Sequence, residues 1–322
     1  MKSRILVTGG AGFIGSHLTK LLVSRGHDVT VVDDLSMGLR ANVPADARFV
    51  QADIRDEDRM LAVVRENRIE RVCHLAAKVS IRASVDSFTE DAQINVMGTL
   101  SVLKAVCRTD VSNMVFASSM AVYADKSQPE PISEEYLTKP ISPYGVSKLA
   151  GENFVSNIMA LSGRQATVLR LFNTYGPGQT YTPYVGVMTI FATKLLQGQS
   201  PVIFGDGNQI RDFVYVGDIA QAFCKAVERE GASGIYNAGS GQPRSVKEIA
   251  ELLQSRIAPE IPLKFGPAQA GEIRNSIANI ARAKADLGYS PQGKLERDVD
   301  QVIDAVRERV AMRAELAGAG KQ

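Results

Sequence analysis

A tyrosine and a lysine stand four residues apart in the segment 143–148, which reads Pro-Tyr-Gly-Val-Ser-Lys. Residues at this spacing on a helix project from the same face, one turn apart. Because a neighbouring ammonium favours the phenolate over the phenol, we expect Lys148 to lower the pKa of Tyr144 toward neutrality. Such a tyrosine is a general base that can remove a proton from an alcohol or sugar hydroxyl while hydride leaves the attached carbon.

A second hydroxyl strengthens this interpretation, since a Tyr-x-x-x-Lys pattern alone occurs in many helices by chance. Ser118 and Ser119 end a predicted strand that precedes the helix in the chain. A serine hydroxyl at that strand end can share the reacting oxygen with Tyr144. The candidate catalytic set is therefore Tyr144, Lys148 and one of these two serines.

A glycine-rich turn lies near the start of the chain, between a predicted strand that ends at Thr8 and an amphipathic helix pattern. Its glycines stand at positions 9, 10, 12 and 15, and from Gly10 the spacing is G-x-G-x-x-G. In a dinucleotide site, Gly12 lets the backbone approach a diphosphate and Gly15 lets the helix pack tightly on the sheet. The helix then directs its free N–H groups and positive dipole end at the phosphates. The strand before this turn and the helix after it provide the context that the motif requires.

Two acids after the second predicted strand, residues 28–32, indicate which dinucleotide binds. A carboxylate at Asp33 can accept hydrogen bonds from the adenosine ribose hydroxyls and repel a 2′-phosphate. Asp34 adds to that repulsion, and the nearest cation, Arg40, lies several residues further on. The sequence thus favours NAD over NADP, and the positive nicotinamide ring acts on the pKa of Tyr144 in the same direction as Lys148. The alternative is a pair of solvated acids at a strand end.

Strands and helices alternate along the first half of the chain. Further strands are predicted at 48–52, 71–75, 113–119 and 167–172, and helices at 56–67, 86–108 and 144–161. This alternation predicts an α/β fold, a Rossmann-like doubly wound parallel sheet with ligands at the carboxyl ends of its strands. After about residue 175 the rhythm changes, which predicts a smaller C-terminal α/β domain for the substrate and a strand at 234–237 that rejoins the main sheet. We assign residues 1–176 and 213–238 to the nucleotide-binding domain, and residues 177–212 and 239–322 to the second domain.

The composition is that of an ordinary globular protein, with 322 residues, 45% hydrophobic and 22% charged, and a formal net charge of +2. A charge this small argues against nucleic acid and membrane surfaces as partners. No apolar run approaches the roughly 20 residues that span a bilayer, and the N-terminus enters a strand without a signal-peptide pattern. Three scattered cysteines predict buried thiols in a reducing cytoplasm. With only three histidines, we expect no metal site.

Six segments of the chain together resemble the extended short-chain dehydrogenase/reductase family. Within it the chain is most similar to the NAD-dependent nucleotide-sugar 4-epimerases of the UDP-glucose 4-epimerase type. The matching segments are 8–18, 74–78, 118–123, 144–148, 170–178 and 205–218. The resemblance implies that Ser119, Tyr144 and Lys148 are the catalytic residues. It also implies contacts to NAD from Tyr144 and Lys148 and from Gly9, Gly12, Phe13, Ile14, Gly15, Asp33, Asp34, Asp53, Ile54, Leu75, Ala76, Ala77, Lys78 and Asn95.

The resemblance extends to the substrate side. Asn173, in Arg-Leu-Phe-Asn-Thr-Tyr-Gly-Pro, matches a family asparagine that touches the sugar nucleotide, and Arg211 matches an arginine that grips its diphosphate. Arg274 is a second diphosphate candidate, because two guanidinium groups can each bind phosphate oxygens bidentately. Surface ion pairs are the alternative for both arginines. Ser276 aligns with the position that gates sugar size.

Further residues complete the expected sugar pocket. Lys78, Ser119 and Tyr144 would also contact the substrate. Arg82 and Ser84 follow the predicted strand at 71–75 and lie near the expected sugar pocket. The sequence is equally compatible with these residues contacting the sugar or not. Tyr181 and Tyr184 are expected to pack the second domain rather than hold the base.

The expected activity is 4-epimerisation of a UDP-sugar through transient oxidation at C4. Met120 and Ala121 stand where 4,6-dehydratases of the family carry an acid pair, so a dehydratase is disfavoured. A UDP-glucuronate decarboxylase and an NAD-sensing regulator stay open. By family expectation the protein is a cytoplasmic homodimer whose helices 86–108 and 144–161 form a four-helix bundle.

Overall fold

The computed structural model describes residues 2–182, 186–268 and 273–319, with side chains described as far as residue 312. The first half contains β1 (Arg4–Thr8), α1 (Phe13–Ser24), β2 (Asp28–Asp33), β3 (Arg48–Gln51), α2 (Glu57–Glu66), β4 (Arg71–His74), α3 (Ile81–Asp86), α4 (Phe88–Ala92), α5 (Gly98–Cys107), β5 (Asn113–Ser119) and α6 (Pro143–Leu161). The second half contains β6 (Gln165–Leu171), β7 (Asn173–Tyr175), α7 (Val187–Leu196), β8 (Val202–Phe204), β9 (Ile210–Tyr215), α8 (Val216–Glu228), β10 (Gly234–Ala238), β11 (Pro243–Ser245), α9 (Val246–Ile257), β12 (Lys264–Gly266), β13 (Asn275–Ser276), α10 (Ala281–Leu287) and α11 (Leu295–Ala319).

The main sheet has seven strands in the order β10-β6-β5-β4-β1-β2-β3, and every neighbouring pair is parallel. Its two faces are both covered, which explains why β1 is an apolar run rather than an alternating one. Ile5 of β1 packs in the cluster that holds Leu18 of α1 and Phe223 of α8. Leu6, on the opposite face, packs with helices α2, α5 and α6. The predicted doubly wound α/β sheet is confirmed, with the strand at 234–238 on its edge.

A third apolar cluster lies outside this sheet. Helices α7, α9 and α11 contribute Phe191, Ile249 and Val302, which pack around Phe213 of β9. Strand β9 pairs with β7 in parallel, with β11 antiparallel and with β13 in parallel. It therefore connects β7, which follows strand β6 of the main sheet, with the C-terminal strands β11 and β13. The exact division into two domains stays a prediction.

Three local expectations differ from the structure. The helix predicted at 86–108 is shorter and interrupted: α4 and α5 are joined by a π-helical turn, Gln93–Met97, and α3 is a separate short helix. The strand predicted at 167–172 ends at Leu171, and Asn173 begins a new strand. Cys73 and Cys224 are buried as expected, but Cys107 at the end of α5 is exposed. Among the described helices none is both long and apolar enough to cross a bilayer.

Candidate functional site

The glycine turn lies against the carboxyl end of β4. Gly9 has a φ of +71°, and a Cβ on it would lie 2.7 Å from the backbone nitrogen of Ala76. A Cβ on Gly15 would lie 2.1 Å from the carbonyl oxygen of Gly9. Side chains at these two positions would push α1 away from the strand ends, so the sequence motif reflects a real steric requirement.

The first turn of α1 is suited to an anion. Its N-cap is Gly12, no side chain caps it, and no acid stands in its first turn. The N–H groups of Phe13, Ile14 and Gly15 therefore direct their partial positive charge out of the helix end. These residues fit the diphosphate of a dinucleotide, as the sequence predicts.

Asp33 ends β2 and supports the glycine turn from the other side. Its Oδ2 accepts a hydrogen bond from the Ala11 nitrogen at 3.0 Å, and its Oδ1 accepts one from the Leu35 nitrogen at 2.9 Å. Burial raises the pKa of the Asp33 carboxyl, while these two N–H donors lower it. Asp34 is more exposed and accepts a bond from the Ser36 nitrogen at 2.9 Å. Both acids stand beside the turn, where they would face the adenosine ribose and repel a 2′-phosphate.

The other expected cofactor residues surround the ends of β3 and β4. The Leu75 nitrogen donates to the Thr8 carbonyl at 3.1 Å, which holds the segment 75–77 beside the glycine turn. Asn95 fixes the next residue, because its Oδ1 accepts from the Lys78 nitrogen at 2.8 Å. The side chain of Lys78 forms an ion pair with Glu90.

The segment after β3 supplies one charged and one apolar side chain. Asp53 is held by Arg55, whose guanidinium lowers the pKa of that carboxyl. Ile54 is buried against Gly98 of α5, where a Cβ would lie 2.5 Å from the isoleucine Cδ1. Their contacts to NAD stay predictions.

Ser119 and Tyr144 come together because the start of α6 packs on the turn that follows β5. Ser142 caps α6 by accepting a hydrogen bond from the Gly145 nitrogen at 3.1 Å. A Cβ on Gly145 would lie 2.3 Å from the Ala121 carbonyl oxygen, so the helix can approach this turn only with glycine there. The Ser119 hydroxyl consequently lies near the phenol of Tyr144 and lowers its pKa.

Replacing this glycine is expected to separate the two hydroxyls. Gly145→Ala would shift the start of α6 away from Ala121, lowering kcat by about 10²-fold because a small misplacement of a catalytic group has a large effect. The same overpacking should cost about 1–3 kcal/mol of unfolding free energy. Steady-state kinetics and urea unfolding measure both effects, with Glu66→Ala at the exposed end of α2 as the control. An alanine variant with the parent's kcat would contradict the proposed contact.

The expected low pKa of Tyr144 is not found in the protein by itself. Burial is the largest influence and raises the pKa of Tyr144 to about 12; the Ser119 hydrogen bond lowers it, and the Asp91 carboxylate raises it. Lys148 is itself buried, with Nζ 5.1 Å from the centre of the Phe116 ring, and burial lowers its pKa to about 8. Sequence reasoning considered the attraction between the two charges and omitted the cost of removing each from water.

Two residues of uncertain role are placed by contacts at the start of α6. The Ser84 hydroxyl accepts a hydrogen bond from the Tyr144 nitrogen at 3.1 Å, so this buried serine supports the tyrosine backbone. The Arg82 guanidinium lies 5.4 Å from the centre of the Phe204 ring, which links α3 to β8. Neither contact tests whether these side chains reach a sugar.

The substrate-side residues Asn173, Arg211 and Ser276 meet at neighbouring strands. Asn173 begins β7, and its Oδ1 is buried and makes no hydrogen bond within the described residues. Arg211 is buried in β9, where its guanidinium donates to the Ile210 carbonyl at 2.9 Å and the Arg274 carbonyl at 3.2 Å. Ser276 pairs with Arg211 across β13 and β9 and is fully buried, with no hydrogen bond to its Oγ in the part of the chain described.

Arg274 lies on the surface and forms an ion pair with Asp206. Its guanidinium makes two bonds to the Asp206 carboxylate, at 3.1 and 3.0 Å, and its backbone nitrogen donates to Asp125 at 3.0 Å. Both side chains of the Arg274–Asp206 pair are about half exposed. Tyr181 lies in the described part of the chain, whereas Tyr184 lies outside it.

Comparison with known proteins identifies the family. Residues 5–239 match the model of the NAD dependent epimerase/dehydratase family. The chain belongs to this family. It is therefore an NAD-dependent enzyme, and the predicted resemblance to epimerases of the UDP-glucose 4-epimerase type is confirmed.

Three similar proteins show how far the likeness extends. The UDP-glucose 4-epimerase of Mycolicibacterium smegmatis is 35% identical over 95% of this chain and 99% of its own. A crystal structure of the UDP-glucose 4-epimerase of Thermotoga maritima with UDP-glucose is 35% identical, covers 95% of this chain and 99% of that one, and superposes with a TM-score of 0.91. A UDP-N-acetyl-alpha-D-glucosaminuronate decarboxylase of Bacillus cytotoxicus is 32% identical over 96% of this chain and 99% of its own.

A buried ion pair beside the candidate catalytic residues escaped the sequence reasoning. Arg170 of β6 makes two bonds to the Glu152 carboxylate of α6, at 2.9 and 2.7 Å, and both side chains are almost fully buried. The Ser118 hydroxyl donates to the same carboxylate. The available signal was that Glu152 follows Lys148 by four residues and so shares its helix face.

Proposed function

We propose that this enzyme epimerises a UDP-hexose at C4, with UDP-glucose, UDP-GlcNAc or their uronic acids as the substrate class. The observation that carries the proposal is that Ser119, at the carboxyl end of β5, lies close enough to the Tyr144 phenol to lower its pKa, and that Tyr144 stands one helical turn from Lys148 on α6. This arrangement provides a base and a second hydroxyl for one sugar oxygen, which is what reversible oxidation of an alcohol requires.

Tyr144, Ser119 and Lys148 would have different roles in the proton transfer at the C4 hydroxyl. Tyr144 takes the proton of the C4 hydroxyl and later returns it, and Ser119 holds the same oxygen. The Lys148 ammonium favours the phenolate, and its burial strengthens that interaction by excluding water. The chemistry that NAD supplies when bound is hydride acceptance and return, together with a positive ring that favours the phenolate. Gly9, Gly12, the first turn of α1 and Asp33 would hold it.

Inversion at C4 requires that the sugar turn over while its nucleotide stays in place. Arg211 and Arg274 carry the charge to bind a diphosphate. The Asn173 Oδ1, which has no hydrogen bond within the described residues, provides a buried acceptor for the sugar nucleotide. Arg274 would have to exchange the Asp206 carboxylate for phosphate oxygens. Ser276 is a small residue beside Arg211, and we propose that its size leaves room for an N-acetyl group.

A second activity is supported by one of the similar proteins. The decarboxylase of Bacillus cytotoxicus covers nearly the whole chain, and a decarboxylation would use the same oxidation at C4. A 4,6-dehydratase is disfavoured, since Met120 and Ala121 carry no titratable group where that reaction needs an acid pair. A regulator that only senses NAD would have no use for the Ser119–Tyr144 contact.

The activity is expected to fall in alkali as Lys148 loses its proton. Because burial lowers the pKa of Lys148 to about 8, the ammonium is present below that value and is lost as the pH rises through it. We therefore expect kcat to decline above about pH 8, measured in buffers between about pH 6 and 10. A kcat that stays constant to about pH 10 would show that the charge of Lys148 is not needed.

The reaction is tested by incubating the purified protein, without added cofactor, with UDP-glucose, UDP-GlcNAc and UDP-glucuronic acid in separate samples. A new set of anomeric proton NMR signals from a sugar of unchanged mass is expected, and it would name the substrate. Release of carbon dioxide would support the decarboxylase instead. A stable keto sugar or net NADH would contradict epimerisation.

We also propose that the enzyme is a cytoplasmic homodimer. Several apolar side chains of α6 are exposed, with relative accessibilities of 55% for Val146, 41% for Phe154 and 85% for Leu161. Together with α4 and α5 of each subunit, this face would complete a four-helix bundle. Light scattering on a size-exclusion column should give twice the chain mass, and Phe154→Asp should lower it toward the monomer. A parent protein that runs as a monomer would contradict this assembly.

A further inference from the structure

A buried carboxylate lies beside the catalytic residues and has no role so far. Asp91 of α4 is 1% exposed. Its Oδ2 accepts a hydrogen bond from the Asn95 Nδ2 at 2.9 Å, while its buried Oδ1 makes no hydrogen bond within the described residues. A carboxylate is acceptor-only when ionised, and leaving one oxygen unpaired in the interior costs free energy unless a positive charge lies near.

The ammonium of Lys148 is the buried positive charge near Asp91. Helix α4 packs directly on α6, which carries Lys148, and the lysine is 3% exposed. Burial lowers the pKa of Lys148, while the carboxylates of Asp91 and then Glu152 raise it. Burial likewise raises the pKa of Asp91, and the Ser147 hydroxyl and the charges of Lys148 and Lys78 act in the opposite direction.

The other titratable groups around Lys148 either form an ion pair with another residue or are neutral. Glu152, on α6, is bound by Arg170 and by Ser118. His74, on β4, is neutral, because burial lowers its pKa to about 3, and its ring bonds Thr8 at 2.6 Å.

Two further groups complete the surroundings. Lys78 pairs with the exposed Glu90, so its charge is shared with a carboxylate at the surface. Tyr144, on α6, is a phenol whose pKa burial raises to about 12, so it adds no charge of its own in the protein alone. Asp91 is therefore the carboxylate around this lysine that keeps an oxygen without a hydrogen bond among the described residues.

Asp91 also determines how Asn95 is oriented. Because the Asp91 oxygen can only accept, the Asn95 amide must direct Nδ2 toward it, and this leaves Oδ1 to accept from the Lys78 nitrogen at 2.8 Å. The Asn95 Nδ2 also lies 3.1 Å from the Ser147 hydroxyl and 3.0 Å from the Lys78 carbonyl. The Asn95 amide, which this carboxylate orients, thus contacts both the loop after β4 and the helix that carries Tyr144.

We propose that Asp91 is a positioning residue for the reaction: its carboxylate keeps Lys148 in the ammonium form at the working pH and fixes the Asn95 amide that holds the Lys78 backbone. The first half concerns the protein itself, and its consequence for turnover rests on the proposed function. Without Asp91 the buried lysine loses a counter-charge that favours its ammonium form, so it releases its proton at lower pH. Turnover should then be lost as the pH rises through that lower value.

The test compares the parent with Asp91→Asn, which keeps the shape and removes the charge. The Lys148 side chain is titrated by NMR with ¹⁵N-labelled lysine and assigned by the signal missing in Lys148→Arg, which requires no substrate. We expect the Lys148 midpoint to fall by about one pH unit or more, and the alkaline limb of kcat to move by a similar amount. Asp86→Asn, which removes an exposed carboxylate at the end of α3, is expected to change neither.

Each outcome decides the proposal. An unchanged Lys148 midpoint in Asp91→Asn would overturn it, even if kcat fell at every pH, because a uniform loss indicates a structural role alone. A shifted midpoint would support it whichever UDP-sugar reaction the enzyme carries out, so a wrong substrate class leaves this test intact. If Asp91→Asn does not fold, Asp91→Ser keeps an acceptor for Asn95 without the charge and should shift the midpoint in the same direction.

Discussion

Tyr144→Phe is expected to lower kcat by about 10³-fold, since it removes the general base and leaves the ring in place. The substitution removes the phenol oxygen near Ser119 and keeps the ring, so it opens no cavity. Folding and NAD content should therefore be close to those of the parent. Stopped assays of UDP-sugar conversion and absorbance of released NAD after denaturation measure the two properties.

A matched control is available in Tyr136→Phe. Tyr136 is also partly buried and packs near the site core, but its ring contacts Tyr123 and the ammonium of Lys126 rather than Ser119. It should retain nearly full kcat. If Tyr144→Phe kept more than about a tenth of the parent's kcat, Tyr144 would not be the base.

Arg170→Met is expected to produce the largest loss of stability, about 3–5 kcal/mol of unfolding free energy. The Arg170 and Glu152 side chains are 4% and 2% exposed, and the substitution would leave the Glu152 carboxylate buried without its cation. Among the residues that the structure describes, the Ser118 hydroxyl would remain as the hydrogen-bond donor to this carboxylate. Urea unfolding followed by circular dichroism measures the loss.

The double variant Arg170→Met/Glu152→Met separates the ion pair from simple packing. Replacing both charges with apolar groups of similar length removes the unpaired carboxylate, so most of the lost stability should return. Arg256→Met, which breaks a half-exposed ion pair with Asp300, should cost under about 1 kcal/mol. A double variant that is less stable than Arg170→Met would contradict the buried-charge explanation.

The sequence predicted those parts of the site whose geometry is determined within a single helix or a single turn. Tyr144 and Lys148 share a face of α6 because their spacing is four, and Gly15 must be glycine because a Cβ there would lie 2.1 Å from the Gly9 carbonyl oxygen in the same turn. In each case the chain neighbours provide the structure that gives the residue its role. The parallel sheet could be predicted in the same way, because local strand and helix patterns alternate along the chain.

The parts that escaped prediction depend on how distant elements pack. Asp91 follows Glu90 in a polar stretch that reads as the solvated face of a helix, and it is buried only because α4 docks on α6. The pKa of Tyr144 could not be derived from its neighbour in sequence, since the desolvation that raises it comes from the whole site. Arg274 binds Asp206, which stands 68 residues away in the chain.

The claim that C4 is oxidised and reduced by direct hydride transfer is tested most directly with UDP-glucose that carries deuterium at C4. The protein is incubated with this substrate in ordinary water, without added cofactor, and the product is analysed by NMR and mass spectrometry. The account predicts UDP-galactose with the deuterium still at C4. Loss of the label to water, or its appearance in released NADH, would contradict the account.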